Sequence, residues 1–174
     1  QGTTAGTVWG FTTTIDVPTG VTASVVDLAP TTPTVAVNLS WTANTNRSFL
    51  GYNVYRDGSK QNASLLTGTT FAQSGLARNA TFSYTVTAVY DEGESAPSVP
   101  AVVTTKGVGI VRGTVTESLN PTTAIAGATV VVSGPAGTYN LTTAANGFYT
   151  SQVYAGTYAI AVAAEGFIGE NISG

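Results

Sequence analysis

Short runs of Val, Thr, Tyr and Ile, broken about every ten residues by Gly, Pro, Asn or Asp, fill this chain almost from end to end. Within the runs apolar residues recur at every second position. Val35, Val37, Leu39 and Trp41 alternate with Ala36, Asn38 and Ser40, and Phe82, Tyr84, Val86 and Ala88 alternate with Ser83, Thr85 and Thr87. A period of two places one set on each face of a pleated strand, so each run reads as a half-buried strand with a wet face of Asn, Ser and Thr. A helix needs apolar residues three and four apart, and no stretch supplies that spacing. Asp57-Gly58, directly after the strand Gly51 to Arg56, suits the positive φ angles of a tight hairpin turn. At 174 residues the chain has room for two sandwiches of roughly 70 to 100 residues each.

Charge excludes several classes of partner. Only 9% of the residues are charged, net charge is −3, and the six basic residues (Arg47, Arg56, Lys60, Arg78, Lys106 and Arg112) are scattered singly. That distribution offers no footprint for nucleic acid or anionic lipid. No segment reaches the roughly 18 consecutive apolar residues of a membrane helix, so no membrane insertion is expected. Cys, Met and His are absent, which removes disulfides, thiolate and imidazole metal ligands, and the commonest general base. The carboxylates fall mostly in turns, and Asp91-Glu92-Gly93-Glu94 lacks the oxygen-ligand spacing of a calcium site. Lys60 and Lys106 lack the motif of a Lys–Asn cross-link. The expectation is therefore no enzyme, with no catalytic residue, no metal and no cofactor.

Six Asn-x-Ser/Thr sequons, at Asn38, Asn46, Asn62, Asn79, Asn140 and Asn171, exceed the roughly two or three that ten Asn would give by chance. N-linked glycans at these positions would keep so uncharged a surface dissolved. They would place the chain outside the cell or at its surface, in an archaeon or a eukaryote. A start at Gln1 without Met reads as processed.

Residues 17–106 resemble the fibronectin type III domain. The likeness rests on Pro18 with Val21 and Ala23, on Leu39-Ser40-Trp41, and on Gly51-Tyr52-Asn53-Val54-Tyr55-Arg56. It continues through Thr70-Phe71, Gly75-Leu76, Tyr84-Thr85-Val86-Thr87-Ala88-Val89 and Gly93-Glu94-Ser95-Ala96-Pro97-Ser98. Phe82 stands where that family often has its corner tyrosine. Residues 107–174 resemble the carboxypeptidase regulatory-like (transthyretin-like) domain through Gly113-Thr114-Val115-Thr116, Ile125 to Val132, Ala145-Asn146-Gly147-Phe148-Tyr149, Ala155-Gly156-Thr157-Tyr158 and Ala164-Glu165-Gly166-Phe167. Asn146-Gly147 sets a tight turn there, and Phe148 and Tyr158 are expected in the core. The resulting fold class is all-β: two tandem β-sandwich (immunoglobulin-like) domains with an extra N-terminal strand in residues 1–16.

The two ends are mismatched. After Gly166-Phe167 the second sandwich is expected to lack its last strand, while Thr7 to Ile15 form an apolar strand without a partner. Val8, Trp9, Phe11, Thr13 and Ile15 are the candidate donor-strand residues, filling the second sandwich of a neighbour. On this reading the protein is a structural subunit of a glycosylated filament or cell-surface assembly, and its partner is itself, head to tail. The alternative is a spacer or binding fragment of a larger secreted enzyme or adhesin. Trp9 is the candidate for stacking on carbohydrate, with nothing further to support that role.

Overall fold

The period-two runs become strands, and among the described residues no helix forms. The computed structural model describes residues 15–45, 48–167 and 170–173, the last four by backbone alone. In chain order the strands are β1 (Thr22–Val26), β2 (Val35–Ser40), β3 (Phe49–Arg56), β4 (Ser59–Lys60), β5 (Thr70–Leu76), β6 (Thr81–Tyr90) and β7 (Gly93–Glu94). They continue with β8 (Ala101–Thr104), β9 (Val108–Thr114), β10 (Thr129–Gly134), β11 (Gly137–Thr142), β12 (Phe148–Tyr154), β13 (Ala159–Ala163) and β14 (Glu170–Ser173). The sheets run β1-β2-β5; β4-β3-β6-β7, with β8 also on β6; β11-β10-β13-β14; and a two-stranded β12-β9 ribbon. By contact the described residues group into two units. The first draws on residues 15–24, 38–45, 48–72 and 82–103, the second on residues 25–37, 73–81, 104–167 and 170–173.

The first unit is built on aromatic packing. Leu39, Trp41, Tyr84, Val86 and Ala88 are buried on the parity that the alternation assigns them, and Tyr52, Val54 and Tyr90 are buried with them; Thr87, expected on the wet face, is 4% exposed and donates to Glu94. Trp41 meets Tyr52 edge-on at 5.2 Å, and Phe49 bridges Tyr52 at 4.6 Å and Tyr90 at 5.7 Å. The tyrosine hydroxyls are satisfied at the margin of this cluster. Tyr52 accepts from the Asn44 N–H at 2.7 Å, while Tyr90 accepts from the Asn44 amide at 2.8 Å and donates to the Asp16 carbonyl at 3.0 Å. Asp57 and Gly58 adopt φ of 50° and 80°, the hairpin turn that their sequence announces.

Of the donor-strand residues, Val8, Trp9, Phe11 and Thr13 lie outside the described residues. Ile15 is half-buried, and its Cδ1 lies 3.8 Å from the position a Cβ on Gly93 would take, so it packs on its own chain. The backbone next to it is held at Asp16, whose carbonyl accepts from Asn44 Nδ2 and from the Tyr90 hydroxyl.

In the second unit Ala128, Val130 and Val132 are fully buried, Val153 is 3% exposed, and Val35, Val37 and Leu76 are buried as well. Two expectations are corrected here. Phe148 is 39% exposed rather than core, because the pleat of β12 puts Tyr149 and Val153 on one face and Phe148 on the other. Tyr149 instead lies over Gly113, where a Cβ would meet its hydroxyl at 2.6 Å. The chain also does not stop before the strand that follows Gly166-Phe167. β14 pairs antiparallel with β13, from Ala159 with Ser173 to Val162 with Glu170. Tyr158 is half-buried, edge-on to Tyr139 at 5.9 Å.

The Asn146-Gly147 turn forms as its sequence requires, with Gly147 at φ 71° and its N–H donating to Ala144 O at 2.8 Å. A Cβ on Gly147 would lie 2.4 Å from Val115 O. Gly147→Ala is therefore expected to lower stability by about 2 kcal/mol or more in urea unfolding. Gly58→Ala, at φ 80° with open space around it, is expected to cost less; equal losses would contradict this account of the turn.

Candidate functional site

Three places in the structure gather functional side chains. On the outer face of the β3–β6 pair, in the first unit, Glu94 projects from β7 toward three donors. Its Oε1 accepts from Asn53 Nδ2 at 3.0 Å, from the Tyr55 hydroxyl at 2.9 Å and from the Thr87 hydroxyl. These bonds, those of Asn53 and Thr87 first, hold the Glu94 carboxyl below its ordinary range against the cost of burial. Glu94 as a residue is exposed, as are Asp91 and Glu92 of the same acidic run. Among the described residues no three acidic side chains converge on one point.

In the second unit Arg78, which reads in the sequence as one of six solitary bases, forms a buried bidentate pair with Asp27. The two bonds measure 2.9 and 2.7 Å, and each side chain is 8% exposed. The rest of the guanidinium fork is spent on the intervening loop: Thr32 O at 2.7 Å, Ala29 O at 2.6 Å and Thr32 Oγ1 at 2.8 Å. A planar group with five donors fits this task, and a lysine would not. The Tyr154 ring lies 5.7 Å from the guanidinium and 4.8 Å from the Lys106 ammonium. Arg78 first, and the Tyr154 hydroxyl with it, holds the Asp27 carboxyl below its ordinary value. Burial first, then the bond to Asp27, pushes the Tyr154 hydroxyl up. Both charges are thus neutralised by each other, which suits an anchor and leaves neither free for proton transfer.

The third place is a cleft of about 630 Å³ within the second unit. Its apolar wall is Val115, Ile125, Tyr149, Ile160, Val162 and Phe167; Thr114, Thr116, Ser118 and Glu117 stand at its polar side. The cavity lies where the β12-β9 ribbon faces β13 and the pairing is carried no further than the Thr116–Ala124 bridge. Leu119, fully exposed, and Phe167, 48% exposed, mark its mouth.

The sequon residues separate by environment. Asn38, Asn79 and Asn140 are exposed, Asn46 lies outside the described residues, and the side chain of Asn171 is not described. Asn62 is 8% exposed and works as a clamp. Its Oδ1 accepts from Val54 N at 2.8 Å, and its Nδ2 donates to Tyr52 O at 3.1 Å, Asn53 Oδ1 at 3.3 Å and Ser64 O at 2.8 Å. Its reading as a surface acceptor is corrected on that ground. Sequence reasoning also missed the Arg78 and Glu94 centres, because Asp27 and Arg78 are 51 residues apart and Asn53 and Glu94 are 41 apart.

The model of the fibronectin type III domain matches residues 17–104. A poly(3-hydroxybutyrate) depolymerase of Ralstonia pickettii is 47% identical over 76 residues, 43% of this chain and 15% of the relative. Exoglucanase B of Cellulomonas fimi is 40% identical over 103 residues, 58% of this chain and 9% of the relative. Chitinase C of Streptomyces lividans is 37% identical over 99 residues, 52% of this chain and 16% of the relative. The chain thus spans less than a fifth of the length of each of these enzymes.

Arg78→Met removes one half of a buried pair and is expected to cost about 3 kcal/mol at neutral pH. Because the folded Asp27 value is depressed, its contribution is complete above the ordinary 3.8 and is lost as pH falls through the folded value. The stability gap between Arg78→Met and the parent protein should therefore shrink in urea titrations below that pH. A gap that stays constant into acid would contradict the ion-pair account.

Proposed function

The chain belongs to the fibronectin type III domain family through residues 17–104, and from that premise we propose that it is a non-catalytic spacer within a larger extracellular enzyme that degrades a polymer. One observation carries this reading: the same module recurs at 37–47% identity in a polyester depolymerase, an exoglucanase and a chitinase. Their polymers share no recognition chemistry, so what the module contributes is independent of substrate. Polymers of this size do not cross a membrane, which puts the work outside the cell. Residues 107–174 extend the spacer as a second sandwich of the carboxypeptidase regulatory-like type. The buried Arg78–Asp27 pair, and a Glu94 Oε1 that takes three donors, agree with a part that holds its shape. Deleting residues 17–174 from the parent polypeptide should leave turnover of a soluble oligomer unchanged and lower turnover of the solid polymer. Hydrolysis of any of the three polymers by the isolated chain would overturn the reading.

A second reading is favoured by the apolar cleft. Among the described residues β9 has a neighbour on one edge only, and the cleft opens at its end. A second copy could dock residues 7–14 there, with Trp9 and Phe11 in the cleft, giving a head-to-tail filament at the cell surface. The donor then ends at residue 14, since Ile15 is engaged by its own chain. On this reading removal of residues 1–14 yields folded monomers at concentrations where the intact chain polymerises. Assembly that survives the deletion excludes it.

A further inference from the structure

From Ser118 to Ala164 the chain contains no Asp, Glu, Lys or Arg. β10, β11, β12 and β13 all lie in this stretch, so these four strands carry no ionic group of their own, and the strands paired with them add only Arg112 on β9 and Glu170 on β14. β11 is also an edge strand of its sheet, and an edge without charge invites pairing with another chain. Asn140 sits in the middle of that edge.

Strand geometry sorts the sequons. Residues i and i+2 share a face, so a sequon within a strand presents its acceptor Asn and its hydroxyl together. On β2 the pair Asn38 and Ser40 is exposed while Leu39 between them is buried. On β11 Asn140 and Thr142 are exposed while Leu141 is half-buried. Asn79 and Thr81 are both exposed, with Asn79 in a turn at φ 53°. Around Asn38 the neighbouring side chains are small hydroxyls: Thr22 and Ser24 are exposed on β1, and Thr22 Oγ1 lies 2.8 Å from Ser40 Oγ. Neither strand carries a charged residue, so this face offers room and hydrogen-bonding partners to a sugar.

We propose that Asn38, Asn79 and Asn140 are N-glycosylated in the native protein and that Asn62 is not. In the transfer a bond forms from Asn Nδ2 to C1 of the first sugar. The C1–O bond to a polyprenyl-phosphate-type lipid carrier breaks, the carrier leaves with the bonding electrons, and Nδ2 gives up one proton. The modified nitrogen keeps a single N–H. At Asn62 that N–H would have to replace donation to Tyr52 O, Asn53 Oδ1 and Ser64 O in a site only 8% exposed. At Asn140 the glycan adds water-binding surface to an edge strand that carries no charge.

The test is peptide mass spectrometry on protein from its native source, with and without enzymatic removal of N-glycans. Peptides with Asn38, Asn79 and Asn140 are expected to carry hexose-containing masses, and the Asn62 peptide to be bare. Asn140→Gln and Thr142→Ala, made in the native host, should each remove the same one glycan, because both destroy the sequon. A bare Asn at any of the three overturns the assignment of that site. Bare Asn at all three, or a glycan on Asn62, overturns the proposal.

Discussion

A sheet that buries one face must find water-compatible side chains for the other, and this chain does so with hardly any charge. The alternation of Val35, Val37, Leu39 and Trp41 with Ala36, Asn38 and Ser40 fixes which side of β2 is dry. Burial of each fully enclosed Val, Leu or Tyr contributes on the order of 2 kcal/mol, so the dry faces supply most of what holds the strands together. The wet faces carry Thr, Ser and Asn, whose hydroxyls and amides hydrogen-bond to each other, as Thr22 does with Ser40 and Thr81 with Thr104. The few charges that remain are therefore conspicuous, and the structure uses Arg78, Asp27 and Glu94 as fixed anchors.

Much of the fold was legible in the residues, since strand parity and turn chemistry are local. Asp57-Gly58 and Asn146-Gly147 are turns because positive φ suits those residues at those places. Phe148 was misplaced because parity within a strand does not say which parity faces inward; that depends on β12 lying over Gly113, which only tertiary pairing decides. β14 escaped notice because four residues opening with Glu170 carry too short a pattern to separate from a tail. Asn62 illustrates a different limit. A sequon and a buried amide clamp are the same residue type, and burial alone separates them. The Arg78 centre leaves no local trace, because its partners come from Asp27, Ala29 and Thr32, far away along the chain.

The same physics bears on function. Catalysis needs a group whose protonation or nucleophilicity is available to a substrate. Here Glu94 Oε1 is committed to three donors, and Arg78 and Asp27 are committed to each other. Such a module fits the spacer role proposed for it on its likeness to stretches of a poly(3-hydroxybutyrate) depolymerase, an exoglucanase and a chitinase.

The most direct measurement is the length of the native polypeptide that contains these residues, by intact mass and terminal sequencing of protein taken from its source. The spacer account predicts a chain several times longer than this one, in which residues 17–174 are contiguous with a polymer-degrading catalytic domain. A native polypeptide consisting of these residues alone, recovered as a filament, would contradict it.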